Sequence, residues 1–196
     1  MTEGRLAQQL AFLVEADKLK RVLRRTPLTD ASRQENSAEH SWHLMLVAMV
    51  VREYAAADFD LAHALEMVAV HDLVEIDAGD TFAYDDAAQE SKTEREMAAA
   101  DRIFGLLPPD QASRARALWD EFEAQESPAA CFANAVDRFQ PLLQDVMAGG
   151  GTCHGLHRDQ VLRRMAPVQT ATPGLWPAVM DVVDSFCASG VIRISR

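Results

Sequence analysis

The chain is poor in the features that mark secreted, membrane-spanning or nucleic-acid-coating proteins. Its 196 residues include three cysteines, Cys131, Cys153 and Cys187, and no two of them form a Cys-x-x-Cys pair. That spacing argues against a disulfide framework and fits a reducing compartment. No stretch of ~18 apolar residues offers a membrane span. The start, MTEGRLAQQL, lacks the charged-then-apolar layout of a leader, so the expected location is the cytoplasm. Positive charge is also scarce, with 19 Lys and Arg against 30 Asp and Glu and a net charge of −11. A DNA or RNA surface needs clustered cations, so a nucleic-acid polymer is not an expected partner. A small phosphorylated molecule still is, because one metal ion and two arginines can hold a single phosphate on an acidic protein. Strand signals are nearly missing: no sustained alternation and no Asn-Gly or Asp-Gly hairpin.

What remains reads as helix, and the expected fold is a compact all-α bundle forming one domain over residues 1–196. RLAQQLAFLVEADKLKRVLRR places leucines at helical spacing, with acids early and bases late. Pro27 breaks it, and NSAEHSWHLMLVAMVVREYAAA restarts with Asn36 or Ser37 as cap and Glu39 in the first turn. Asp60 caps the next helix, which ends near Gly79. TFAYDDAAQE reads as a loop, and Ser91 with Glu94 has capping-box spacing. Pro108-Pro109 and Ser127-Pro128 open two further helices, and Pro141 should kink or split the second. Two more are expected near 157–166 and 175–188, separated by Pro167 and Pro173-Gly174.

The informative stretch is MVAVHDLVEIDAGD, residues 67 to 80, where an apolar helical run delivers His71, Asp72, Glu75, Asp77 and Asp80. It is either frayed surface acid or one wall of a metal site. On a helix His71 and Asp72 diverge by about 100°, so a shared ion needs other elements to close around it. His40 in SAEHS and Asp137 in NAVDRF are available. Asp137 lies among Phe132, Ala133, Val136 and Phe139, and a buried aspartate needs a partner. A metal ion is one such partner; Arg138 or a capping role are the others. His40, His71, Asp72 and Asp137 together offer two nitrogens and two oxygens, a set suited to an intermediate divalent ion. Four ligands leave octahedral positions open for water or substrate, as catalysis requires.

RQENSAEHS, HDLVEIDAGD and AVDRFQPLLQ, in this order on a helical chain, resemble the HD-domain metal-dependent phosphohydrolases, and more closely their 5′-deoxynucleotidase branch. The resemblance runs from about residue 6 to 147 and includes LWDEFEAQ; helices over 155–190 lie beyond it. It implies that His40, His71, Asp72 and Asp137 bind one divalent ion, whether Mn²⁺, Co²⁺, Zn²⁺, Fe²⁺, Ni²⁺ or Mg²⁺. It implies that Glu75 handles the attacking water, that Asp80 lies near the sugar and leaving oxygen, and that Arg25 grips the phosphate. Arg33, Lys92 and Arg95 are candidates to supplement Arg25. One departure stands out: where branch members that prefer deoxyribose carry tryptophan, this chain has Thr26.

The implied activity is hydrolysis of nucleoside 5′-monophosphates, with deoxynucleotides favoured, by a homodimeric enzyme. Alternatives are another small phosphoester, such as an alarmone, or a helical interaction module that keeps its ion for stability. A cyclic-dinucleotide hydrolase would add Gly-Tyr-Pro after its HD pair, and the chain has none. Among the remaining candidates, His43 is expected to support the site or pack in the core, and His63 to sit at the surface. Cys153, His154 and His157 lack the second pair a structural zinc needs. Asp77, Asp85 and Asp86 read as solvated or capping acids, and Trp42 and Trp119 as core.

Overall fold

The structure is a computed structural model that describes residues 2–82, 84 and 91–194. The sequence expectation for Asp85 and Asp86 falls outside these residues. Helix α1 (Thr2–Ala16) runs into a 3₁₀ turn at Asp17–Arg21. Strands β1 (Leu23–Pro27) and β2 (Gln34–Asn36) follow, then α2 (Ser37–Val51), α3 (Leu61–Val70), a 3₁₀ turn at His71–Val74 and α4 (Glu75–Ala78). The second half comprises α5 (Lys92–Phe104), α6 (Pro109–Ala124), α7 (Pro128–Met147), α8 (Arg158–Ala171) and α9 (Trp176–Ser189).

Apolar burial explains the arrangement. Phe132, Ala133 and Val136 of α7 are buried against Leu44 and Ala48 of α2, Met67 and Val68 of α3, and Val161 and Val168 of α8. A second cluster, Leu73, Val74, Ala100, Ile103, Phe104 and Trp119, packs α5 and α6 around the His71–Val74 turn. That turn therefore lies between two cores, and its backbone is held from both sides.

The helix starts follow local chemistry. Asn36 Oδ1 accepts from the Glu39 N–H at 3.0 Å while Glu39 Oε2 accepts from the Asn36 N–H at 3.2 Å, a closed capping box. Asp60 and Ser127 cap α3 and α7 through the Ala62 and Ala130 N–H groups. Ser91 precedes α5 but makes no side-chain cap bond, contrary to expectation.

Three further expectations are corrected. β1 and β2 form an antiparallel ribbon, Leu23 opposite Asn36 and Pro27 opposite Gln34, where no strand was expected. Strands of five and three residues are too short to show a period of two. Helix α7 is not split at Pro141, and α8 passes Pro167 to end at Ala171. Each proline forfeits a backbone hydrogen bond, but both helices are held along their length by packing. Trp42, expected in the core, is 61% exposed, while Trp119 is buried. Among the described residues no helix is long and apolar enough to cross a membrane.

Candidate metal centre and active site

Three elements bring the candidate ligands together. The α2 capping box fixes that helix so that His40, one turn in, is fully buried. After Val70 the chain tightens into the 3₁₀ turn, and the His71 Nδ1–H donates to the Val68 carbonyl at 2.7 Å. That bond selects the tautomer with a bare Nε2, and this Nε2 is buried with no hydrogen-bond partner. Asp137 arrives from the centre of α7.

His40 Nε2 lies 3.0 Å from Asp137 Oδ1 and 3.9 Å from Asp72 Oδ2. His71 Nε2 lies 3.0 Å from Asp72 Oδ1 and 3.9 Å from Asp137 Oδ1. One donor atom from each of His40, His71 and Asp72 falls within 4.8 Å of the others. An orphaned, desolvated imidazole nitrogen beside two carboxylates is costly unless a cation sits among them. The donor set therefore fits a divalent ion. The field points the same way: burial and Arg24 pull His40 down, yet Asp137, Glu35 and Asp72 raise it to about 9. Burial opposes the charge of Asp137, but the His40 bond, His71 and Arg24 hold it well below the usual carboxylate range.

A polar layer stands behind His40. Its Nδ1–H donates to Gln140 Oε1 at 2.9 Å, and Gln140 Nε2 donates to Glu35 Oε1 at 3.3 Å and to His43 Nδ1 at 2.9 Å. Gln144 Nε2 donates to the same Glu35 oxygen at 2.9 Å. His43 thus supports the site through Gln140 and does not line the cavity. Phe122 closes the other flank, its ring centroid 4.9 Å from that of His71.

His71, Asp72 and Asp137 line a cavity of about 1120 Å³, counted with its open mouth, and His40 is buried behind them. Glu75 is buried in its wall, and its Oε2 accepts from Ser37 Oγ at 2.6 Å. Burial first, and Asp72 second, push the Glu75 carboxyl well above its ordinary value. Gly79, at φ +74°, ends α4 in a conformation that favours glycine. Asp80 follows in the cavity wall, raised chiefly by burial.

Strand alternation separates the two arginines. Arg24 faces inward, with Nη1 3.1 Å from Asp72 Oδ2 and 4.0 Å from Asp80 Oδ1, and Nε 3.8 Å from Glu35 Oε2. Arg25 is exposed at the mouth, its guanidinium 4.5 Å above the Phe82 ring. Thr26 is buried and also lines the cavity. Sequence reasoning missed Arg24. Its inward direction follows from the pairing of β1 with β2, which a five-residue strand does not announce.

Arg33 is not brought to the cavity. Its guanidinium is on the surface, donating to both Glu39 oxygens at 2.6 and 2.8 Å. Lys92 does line the cavity, with Nζ 3.4 Å from Glu96 Oε2. Arg95 donates to Thr81 Oγ1 and to the Ala78 carbonyl. Asp77 pairs with Arg102, and His63 with Glu121. Cys153 is buried against Asp145, and His154 and His157 are exposed, so they build no zinc site.

A family model of the HD domain matches residues 16–176. The chain belongs to the HD-domain family. Mouse 5′-deoxynucleotidase HDDC2 is 31% identical over 144 residues, 73% of this chain and 71% of that one. Fission-yeast 5′-deoxynucleotidase hdd1 is 26% identical over 147 residues, covering 70% and 72%. A crystal structure from Magnetospirillum magnetotacticum, named "Predicted metal-dependent phosphohydrolase", is 46% identical, covers 98% of this chain and 97% of that one, and superposes with a TM-score of 0.93. A conserved hypothetical protein from Pyrococcus furiosus shares the fold at a TM-score of 0.63 and 17% identity, covering 88% and 98%. This HD domain is a metal-dependent phosphohydrolase with an all-α fold, as the sequence resemblance implied.

Proposed function

We propose that this HD domain hydrolyses nucleoside 5′-monophosphates, deoxynucleotides among them, to nucleoside and inorganic phosphate. The observation that carries the reading is the buried, unpartnered Nε2 of His71, facing Asp72 and Asp137 in the wall of a cavity that also holds Arg24 and Arg25. His40, His71, Asp72 and Asp137 would hold the ion. Its two-nitrogen, two-oxygen set suits Mn²⁺, Fe²⁺, Co²⁺, Ni²⁺ or Zn²⁺. When bound, such an ion supplies Lewis-acid charge stabilisation and a nucleophile at neutral pH.

The chain's own groups do the rest. Glu75, with one oxygen held by Ser37, orients the attacking water and accepts its proton on the other. The water oxygen forms the new bond to phosphorus as the bond to the 5′-oxygen breaks. Arg24 and Arg25 neutralise the phosphoryl oxygens, and Arg24 is already desolvated for that task. Asp80, in the cavity wall after Gly79, gives the leaving alkoxide its proton.

A homodimer accords with α2, which buries Leu44, Val47 and Ala48 on one face while Trp42, Leu46, Met49 and Val50 are exposed on the other. Light scattering on the wild type and on Trp42→Glu tests this. The deciding experiment for function is phosphate release from a ribo- and deoxynucleoside monophosphate panel with several divalent ions. The expected result is turnover stopped by a chelator and lost in His71→Ala. Turnover persisting in His71→Ala, with bound metal shown to be absent, would reject the reading.

A further inference from the structure

The cavity does not end at the metal centre. Beyond Asp137 its lining continues through Pro141 and Leu142 of α7, Cys153 of the 3₁₀ turn Gly151–Cys153, Met165 of α8, and two guanidiniums, Arg138 and Arg164. Neither makes an ion pair with an acid among the described residues. Arg138 reaches the Arg164 carbonyl at 3.4 Å and Gln125 Oε1 at 3.3 Å, both long, and its Nε is buried with no partner. By contrast Arg33, Arg52, Arg102 and Arg116 all pair with carboxylates.

Asp137 and Asp145 are committed elsewhere. Asp137 is turned to His40. The Asp145 oxygens accept from the Thr152 N–H and hydroxyl at 2.9 and 2.6 Å and from Cys153 Sγ at 3.3 Å. Glu123 also lines the cavity but is not in ion-pair contact with Arg138. On a chain of net charge −11, two half-buried like charges with no ion-pair partner among the described residues are an unsatisfied arrangement. A neutral nucleobase would not relieve that repulsion. An anion between the two planar forks would, and guanidiniums match phosphate and carboxylate geometry.

We propose that Arg138 and Arg164 form a second anion subsite, so that the preferred substrate carries another phosphoryl or carboxylate group remote from the scissile phosphate. The proposal rests on the phosphomonoesterase reading above for the first phosphate, and adds the second. The substrate class becomes nucleotides with two separated anionic ends. A 3′,5′-bisphosphate and a nucleotide with an acidic base are its two forms.

The test uses Mn²⁺-loaded Glu75→Gln protein, in which slowed turnover permits calorimetry. Adenosine 5′-monophosphate is compared with adenosine 3′,5′-bisphosphate, and uridine 5′-monophosphate with orotidine 5′-monophosphate, which adds one carboxylate. In at least one pair the doubly anionic member should bind about tenfold tighter, the yield of one good charge-assisted contact. Whichever pair shows it identifies the second anion. The ratio should fall to about one in Arg164→Gln and in the Arg138→Gln, Arg164→Gln double variant. Arg164→Lys should keep part of it, and unchanged melting temperatures show that the fold is intact. Ratios near one in both pairs without the arginine changes, or ratios that survive their removal, would overturn the subsite. Phosphate release by wild-type enzyme is scored separately. Its absence for every monoester rejects the hydrolase reading, while the binding ratios still judge the subsite.

Discussion

Gln140 accepts the His40 Nδ1–H at 2.9 Å and passes its own amide hydrogens to Glu35 and His43. Its amide orientation is thereby fixed, and with it the ring nitrogen that His40 presents to Asp137. Second-layer partners of this kind change metal affinity by about 10- to 100-fold. Gln140→Leu should weaken divalent-ion binding by that factor while keeping the fold, since Gln144 still donates to Glu35. A metal titration followed by calorimetry gives the answer. Unchanged affinity would mean that His40 is placed by packing alone.

Glu75 differs from the two candidate acid ligands in its neighbours: its carboxylate accepts from Ser37, whereas Asp72 and Asp137 each lie 3.0 Å from an imidazole nitrogen. Glu75→Gln keeps volume and burial but removes the proton acceptor. Turnover should fall by about 10²- to 10⁴-fold, the span of general base catalysis, with bound metal near the wild-type level by elemental analysis. Loss of the metal in this variant would move Glu75 into the ligand set.

The sequence and the structure agree where chemistry is local and diverge where it depends on packing. Asn36, Asp60 and Ser127 announce their helix starts because a cap needs only the residues beside it. His40, His71, Asp72 and Asp137 were readable together through the ordered motifs, and the structure gathers them. Arg24 was hidden because the direction of a side chain on β1 depends on pairing with β2. Glu35 and Gln140 lay inside the quoted motifs, but their bonds to one another span over a hundred residues and have no local signature. Trp42 misled because α2 is apolar on both faces, which leaves no polar side to mark the exterior.

Thr26 bears on sugar choice. It is buried and lines the cavity, where the branch resemblance expects tryptophan in enzymes that prefer deoxyribose. The small side chain leaves room for a 2′-hydroxyl, so ribo- and deoxynucleotides should be hydrolysed with kcat/KM values within about tenfold of each other. Thr26→Trp, or Thr26→Phe if the indole is too large for the ribbon, should shift that ratio toward deoxynucleotides by about tenfold. A ratio unmoved by both variants would place the sugar away from this strand.

Glu96 makes stability fall as pH rises. It is 6% exposed. Burial raises its carboxyl to about 6, with Glu123 and Asp72 adding to the effect and Lys92, 3.4 Å away, opposing it. The unfolded chain releases this proton near the ordinary value of 4.5. Between 4.5 and about 6 the folded protein therefore binds more protons than the unfolded one, so unfolding free energy declines through that window and levels off above it. A displacement of this size is worth about 2 kcal/mol. Glu96→Gln, which never ionises, should match the wild type near pH 4 and exceed it by up to about 2 kcal/mol at pH 8. Denaturant melts of both proteins across that range measure the difference. A gap that does not change with pH would show that Glu96 ionises in the fold as freely as in the open chain.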